Sequence, residues 1–134
     1  MSKNATATTT LKKDDLIVIT GAGGFIAGSL VRYFADQGFS NIRAIDKKPL
    51  PEWYQRVPGV ENLSLDLSYL ENCRRAVEGA VEVYNLAADM GGMGFISAHH
   101  AQILYNNSLI NLHTLEAARE HGVKRYLYTS SACI

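Results

Sequence analysis

Apolar positions along this chain gather into short β-branched runs, separated by stretches in which they recur at helical spacing. The clearest run is Leu16-Ile17-Val18-Ile19-Thr20, continuous and closed by Gly21, which predicts a strand buried on both faces. Leu30, Val31 and Phe34 then recur at helical spacing with Phe25 and Ile26 upstream, and Gly38 supplies the stop. A second strand is predicted over Asn41–Asp46. Pro49, Pro51 and Pro58 make Lys47–Gly59 a surface loop. A third strand, Asn62–Leu67, leads into a helix over Tyr69–Glu78, started by Ser68 and ended at Gly79. Val81–Ala87 reads as a fourth strand, and Asp89–Gly94 is too rich in glycine to be anything but a loop. A long helix is expected from about Ala98 to Glu120, capped by Gly122, with Leu104, Ile110, Leu112 and Leu115 among its apolar positions. Lys124–Ser130 is the fifth strand.

Strands alternating with helices imply right-handed crossovers and a parallel sheet. If the first strand is central, the order is 3-2-1-4-5, that of the mononucleotide-binding half of a doubly wound, Rossmann-like α/β fold. The expected organisation is a flexible tail over residues 1–15 and a single α/β domain over 16–134, with the sheet cut after its fifth strand.

Composition narrows the class of partner. Thirteen basic and thirteen acidic side chains cancel, so the surplus of positive charge that a nucleic-acid backbone requires is missing. A phosphate must therefore be gripped locally, by backbone amides or a helix terminus. No apolar run approaches the ~20 residues that span a bilayer, so no membrane partner is expected. Met1–Asp15 has neither an apolar segment nor an arginine, which speaks against a targeting peptide. Cys73 and Cys133 are too few for a disulfide framework and read as reduced thiols of a cytoplasmic protein.

The strongest local signal is Thr20-Gly21-Ala22-Gly23-Gly24-Phe25-Ile26-Ala27-Gly28, between the first strand and the first helix. Gly21 permits a sharp turn, and Gly24 removes a side chain where a pyrophosphate must approach the backbone. Ala27 lets the helix pack close to the sheet. The amides at the helix start, at Phe25 and Ile26, would then face the phosphates. Asp46, at the tip of the second strand, stands at the interval where an acid meets the adenosine ribose. Such a carboxylate repels a 2′-phosphate and favours NAD, although Lys47 and Lys48 directly after it could welcome one. Asp66 closes the third strand, where it either accepts from the adenine amino group or caps the following helix. The small side chains of Asn85-Leu86-Ala87-Ala88 would let a cofactor lie flat across the strand ends, or simply pack. His99, His100, His113 and His121 lack a Cys partner at zinc-site spacing, so no metal is expected.

These segments, together with Tyr128-Thr129-Ser130-Ser131-Ala132, resemble the extended short-chain dehydrogenase/reductases of the NAD-dependent epimerase/dehydratase type. Within them, Asn85–Ile96, Tyr105-Asn106-Asn107 and Ser130–Ile134 resemble the GDP-mannose 3,5-epimerase family. The resemblance implies NAD as cofactor, held by Gly21, Gly24, Phe25, Ile26, Asp46, Asp66, Leu86, Ala87 and Ala88. It implies GDP-mannose, a nucleotide sugar, as substrate, met by Gly91, Ser131, Ala132 and Cys133, in a homodimeric parent. In that family, Ser131 corresponds to a serine that hydrogen-bonds the reacting hydroxyl, and Cys133 to a cysteine that exchanges a proton with sugar carbon. Both are the expected catalytic residues here. One of Asn106 and Asn107 matches a position near the active site. The resemblance also requires a Tyr-x-x-x-Lys pair, and no tyrosine of the chain has a lysine four positions later. The chain alone is therefore expected to be inactive, and the substrate domain absent. Two other readings remain: the cofactor half of a different sugar-nucleotide epimerase, dehydratase or reductase, and a non-catalytic NAD-binding module. A small buried hydrophobe is the plain alternative for Cys133.

Overall fold

Strand β1 (Ile17–Thr20) lies at the centre of a five-stranded parallel sheet, and its alternation explains how both faces are covered. Ile17 and Ile19 point into one apolar cluster, Leu16 and Val18 into the other, and all four are buried. The structure, a computed structural model, describes residues 10–89 and 99–130. Outward from β1 run β2 (Ile42–Asp46) and β3 (Glu61–Ser64) on one side, and β4 (Glu82–Asn85) and β5 (Arg125–Tyr128) on the other. The order is thus the expected 3-2-1-4-5. Parallel pairing sets Thr20 beside Ile45 and Asn85, Asp46 beside Ser64, and Asn85 beside Tyr128. All strands therefore finish on one edge of the sheet, where ligands of open α/β folds bind.

Helix α1 (Phe25–Asp36) covers one face with Ala27, Val31 and Phe34, packed with Ile17, Ile19, Ile42 and Ala44. Helices α2 (Leu70–Val77) and α3 (His100–Glu120) cover the other face through Cys73, Ala76, Val77, Ile110 and Ala117. The glycines expected to end the helices do so: Gly38, Gly79 and Gly122 all have positive φ, a conformation that costs glycine nothing.

Five expectations need correction. Ser68 does not cap α2 with its hydroxyl. The Asp66 carboxylate two residues earlier takes both the amide of Ser68, at 2.9 Å, and its hydroxyl, at 2.7 Å. That turn also ends β3 at Ser64 rather than Leu67. Strand β4 stops at Asn85 rather than Ala87, because the next two amides turn to a side chain of β1 instead of a neighbouring strand. The proline-rich segment 47–59 is only partly a surface loop. It contains a 3₁₀ turn, Leu50–Glu52, and buries Trp53 and Val57 in the α1-side core. Finally, α3 packs through small and β-branched residues. Ile110, Thr114, Ala117 and Ala118 are buried, whereas Leu104 and Leu112 remain 69% and 62% exposed.

Candidate nucleotide-binding site

The turn after β1 is fixed by backbone hydrogen bonds and by close approach. Gly21 has φ +74°, and a Cβ there would lie 2.7 Å from the Leu86 carbonyl oxygen. The amide of Ala22 donates to Ile45 O at 2.9 Å, and that of Gly24 to Gly21 O at 3.0 Å. At Gly24 an added Cβ would meet only that same carbonyl, at 3.4 Å, so the protein leaves this side of the turn open. Helix α1 begins here with no side-chain cap and no acid in its first turn, and Phe25 and Ile26 are exposed. Its first amides are thus available to an anion. Ala27 is buried, as expected for close packing of helix on sheet. Gly28 also serves this packing, since a Cβ would come 3.0 Å from the Gln55 side chain and 3.2 Å from Ala22 O.

Asp46 reaches back over the turn. Its carboxylate accepts from the amides of Gly23 and Lys48, both at 2.9 Å. A Cβ on Gly23 would stand 2.9 Å from this carboxylate, so the third position of the motif is reserved for glycine by Asp46 itself. An ionised carboxylate offers about four lone-pair sites, so two amides leave capacity for hydroxyl donors. The segment after β2 closes over the same place: Tyr54 donates its amide to Gly23 O at 2.9 Å, and its ring meets Phe25 edge-on at 5.2 Å. Asp66 stands after β3 on the same edge of the sheet, with one oxygen committed to the Ser68 turn.

Between β1 and β4 lies a polar knot that the sequence pattern did not single out. The wholly buried Thr20 hydroxyl donates to Asn85 Oδ1 at 2.7 Å and accepts the amides of Leu86 and Ala87, each at 3.1 Å. Asn85 Nδ2 donates to Asn111 Oδ1 and to the Tyr126 hydroxyl. The knot presses the Leu86–Ala87 backbone against Gly21. A polar residue closing an apolar strand was the only available sign of it. Thr20→Val keeps the shape but strands two buried amides, so a loss of about 2–4 kcal/mol in unfolding free energy is expected. Urea denaturation measures it; a change below about 0.5 kcal/mol, the size of an ordinary surface substitution, would show that water replaces the hydroxyl.

Beyond the knot, Asp89 joins three elements. Lys47 Nζ lies 2.7 Å from its Oδ1 and Asn106 Nδ2 2.7 Å from its Oδ2. Asn107 accepts the Asp89 amide at 2.6 Å and donates to its carbonyl at 3.2 Å. Both asparagines of α3 therefore act on one residue, through its side chain and its backbone respectively. Partial burial pushes the Asp89 carboxyl up, but hydrogen bonds from Lys47 and Asn106 and the charge of Lys47 outweigh it and hold it below its ordinary range. The same hydrogen bond holds the Lys47 ammonium above its own.

A glycine turn between β1 and an uncapped helix, with an acid from β2 folded over it, is the arrangement of a dinucleotide site. A sequence model of the NAD dependent epimerase/dehydratase family matches residues 17–134. The chain belongs to this family. It is 48% identical over 118 residues to GDP-mannose 3,5-epimerase of Arabidopsis thaliana, and 47% to GDP-mannose 3,5-epimerase 1 of Oryza sativa subsp. japonica. Each alignment covers 88% of this chain and 31% of the relative, so the chain spans about a third of the plant proteins' length. At 30% identity it also aligns with 2-alkyl-3-oxoalkanoate reductase of Stenotrophomonas maltophilia, over 88% of this chain and 34% of that protein. Among solved structures, a uronate dehydrogenase mutant of Agrobacterium tumefaciens complexed with NAD superposes with TM-score 0.71 at 25% identity, covering 87% of this chain and 41% of that one. UDP-glucose 4-epimerase of Thermotoga maritima shares the fold, with TM-score 0.75 at 20% identity over 87% and 38% of the two chains.

On this family frame, Gly21, Gly24, Phe25, Ile26, Asp46, Asp66, Leu86, Ala87 and Ala88 all fall on the strand-end edge, in or directly after β1–β4 or at the start of α1. Gly91, Ser131, Ala132 and Cys133 lie outside the described residues. Cys73 is a packing residue: it is fully buried, donates to Leu67 O, and burial pushes its thiol up to about 11. Tyr126 is tied to Asn85, and burial pushes its hydroxyl up to about 12, so it is no base near neutral pH. His113 and His121 each place Nδ1 at a backbone carbonyl, of Ser68 and Ala117. Among the described residues no helix is long and apolar enough to cross a membrane.

Proposed function

We propose that this chain is the NAD-binding portion of a GDP-mannose 3,5-epimerase, with the domain running over residues 16–134 after a tail at 1–15. The observation that carries this is the 48% identity to the Arabidopsis epimerase across 118 residues, over a turn whose open side faces the helix terminus. In this reading the amides at Phe25 and Ile26 hold the pyrophosphate, which approaches over the open side of Gly24, and Asp46 accepts from the adenosine ribose hydroxyls. Asp66 meets the adenine amino group, and Leu86–Ala88 form the floor beneath the cofactor. NAD supplies hydride acceptance and return at C4 of the sugar. Ser131 holds the reacting hydroxyl, Cys133 moves a carbon-bound proton, and Gly91 and Ala132 contact the substrate. A Tyr-x-x-x-Lys pair beyond these residues completes the set, in a homodimeric cytoplasmic enzyme. The relation to Stenotrophomonas 2-alkyl-3-oxoalkanoate reductase, at 30% identity, covers the same region and reflects the shared cofactor half.

The test is cofactor choice. Calorimetric titration should give tighter binding of NAD than of NADP by about tenfold or more, roughly 1.4 kcal/mol. Asp46→Ser should narrow that gap by removing the charge that repels a 2′-phosphate. Equal affinities in the unsubstituted protein would refute the role given to Asp46. Failure to bind either nucleotide would refute the site.

A further inference from the structure

Lys47 is the residue directly after the acid that reads the ribose, and an ammonium there is chemically suited to a 2′-phosphate. Its surroundings direct it elsewhere. The Ser64 hydroxyl donates to the carbonyls of Lys47 and Lys48, at 3.3 and 3.1 Å, which fixes the backbone from which the side chain departs. The side chain then bridges from the end of β2 to the residues following β4, where its ammonium meets Asp89 at 2.7 Å. Asp89 cannot follow the lysine outward. Its side chain is 16% exposed, its second oxygen is taken by Asn106, and Asn107 grips its amide and carbonyl. One partner of the ion pair is thus anchored to α3 at three points, while the other, 56% exposed, is free to move only by breaking the pair.

We propose that Asp89 is a specificity-determining residue of this site, which withholds Lys47 from the adenosine 2′ position and so disfavours NADP. The proposal rests on the reading of this edge as a cofactor site, and deepens it. Asp46 acts on the 2′-phosphate by direct repulsion. Asp89 acts at one remove, by occupying the cation that would otherwise offset that repulsion. A 2′-phosphate can recruit Lys47 only by competing with a carboxylate that is already desolvated and fixed. An ion pair with one partner mobile and exposed contributes up to about 1 kcal/mol, so the expected effect on cofactor choice is severalfold rather than a complete reversal.

Three proteins test this: the unsubstituted chain, Asp89→Asn, and Asp89→Asn combined with Lys47→Met. Each is titrated with NAD and with NADP, and the readout is the ratio of the two dissociation constants, which general loosening of the fold does not shift. Asp89→Asn should move the ratio toward NADP by roughly fivefold. Adding Lys47→Met should return it to within about twofold of the starting value, because the gain runs through that ammonium. A ratio unmoved by Asp89→Asn overturns the proposal. So does a shift that persists without Lys47, which would transfer the role to Lys48. If the unsubstituted chain binds NAD normally in either case, the cofactor site itself stands; if it binds neither nucleotide, the site and this inference fall together.

Discussion

Replacing Cys133 by Ser in the complete, Tyr-x-x-x-Lys-bearing enzyme is expected to slow exchange of the sugar C3 and C5 hydrogens with solvent by ~10² or more, the usual worth of a placed acid/base group. Removal of hydride from C4 makes a ketone, and the ketone acidifies the hydrogens on both neighbouring carbons. Inverting either centre then requires a group that takes the proton on one face and one that returns it on the other. A thiol with an ordinary pKa near ~8.5 needs little tuning for such work, whereas a serine hydroxyl is nearly isosteric and far too weak an acid. NAD binding should survive, because its proposed contacts lie around Gly21, Gly24 and Asp46. Oxidation at C4 should survive in part, since in the proposed function that step belongs to Ser131 and the Tyr-x-x-x-Lys pair. GDP-mannose incubated with the variant in D₂O and followed by NMR gives the answer. Exchange at the unsubstituted rate would make Cys133 a packing residue and remove the most specific support for epimerisation.

A second large effect is expected at Gly21. Alanine there must adopt φ +74°, which costs about 1–3 kcal/mol. It must also place its methyl 2.7 Å from the Leu86 carbonyl oxygen and 3.0 Å from the Ala87 amide nitrogen. Neither can retreat cheaply, because the Thr20 hydroxyl holds both amides of that segment and is itself wholly buried. The combined loss should reach about 3–5 kcal/mol, and NAD affinity should fall by ~10² or more as the turn is displaced from the helix terminus. Gly59 supplies the control. Its φ is +85°, and a Cβ there meets nothing within 4 Å, so Gly59→Ala should cost only the conformational part, about 1–2 kcal/mol. Urea denaturation of both variants isolates the steric contribution. Equal losses at the two sites would mean that the β1–β4 contact yields, and that the close approach at Gly21 is not what the site requires.

The contrast between these two glycines shows where sequence reading reached and where it stopped. Gly21 was legible as the sharp turn after β1 and Gly59 only as the end of the proline-rich loop, yet both have positive φ. Only packing reveals that one faces open space while the other faces a carbonyl. The same holds at the asparagines of α3. Asn106 and Asn107 were legible as poor helix formers near a site, yet their shared attachment to Asp89 depends on how α3 crosses the end of β4. Leu104, Ile110, Leu112 and Leu115 carried the apolar signal of α3, but of these only Ile110 is buried, beside Thr114, Ala117 and Ala118. Side-chain size at the α2–α3 contact decided that, and hydrophobicity alone does not encode it.

By itself the sequence determined the alternation of strands and helices, the strand order, the glycine turn and the acid at the tip of β2. These are set by short-range physics: β-branched runs, stop glycines, and the single register that buries both faces of a parallel sheet. Tertiary structure alone decided that Asp46 folds back onto the Gly23 amide, that Thr20 and Asn85 lock β1 to β4, and that Lys47 spends its charge on Asp89. Each of these joins residues 23 to 65 positions apart, read from hydrogen bonds of separation 23, 65 and 42. A polar side chain at a strand end has several neighbours of suitable chemistry, and which one it meets is fixed by distance and direction, properties that exist only once the sheet has formed.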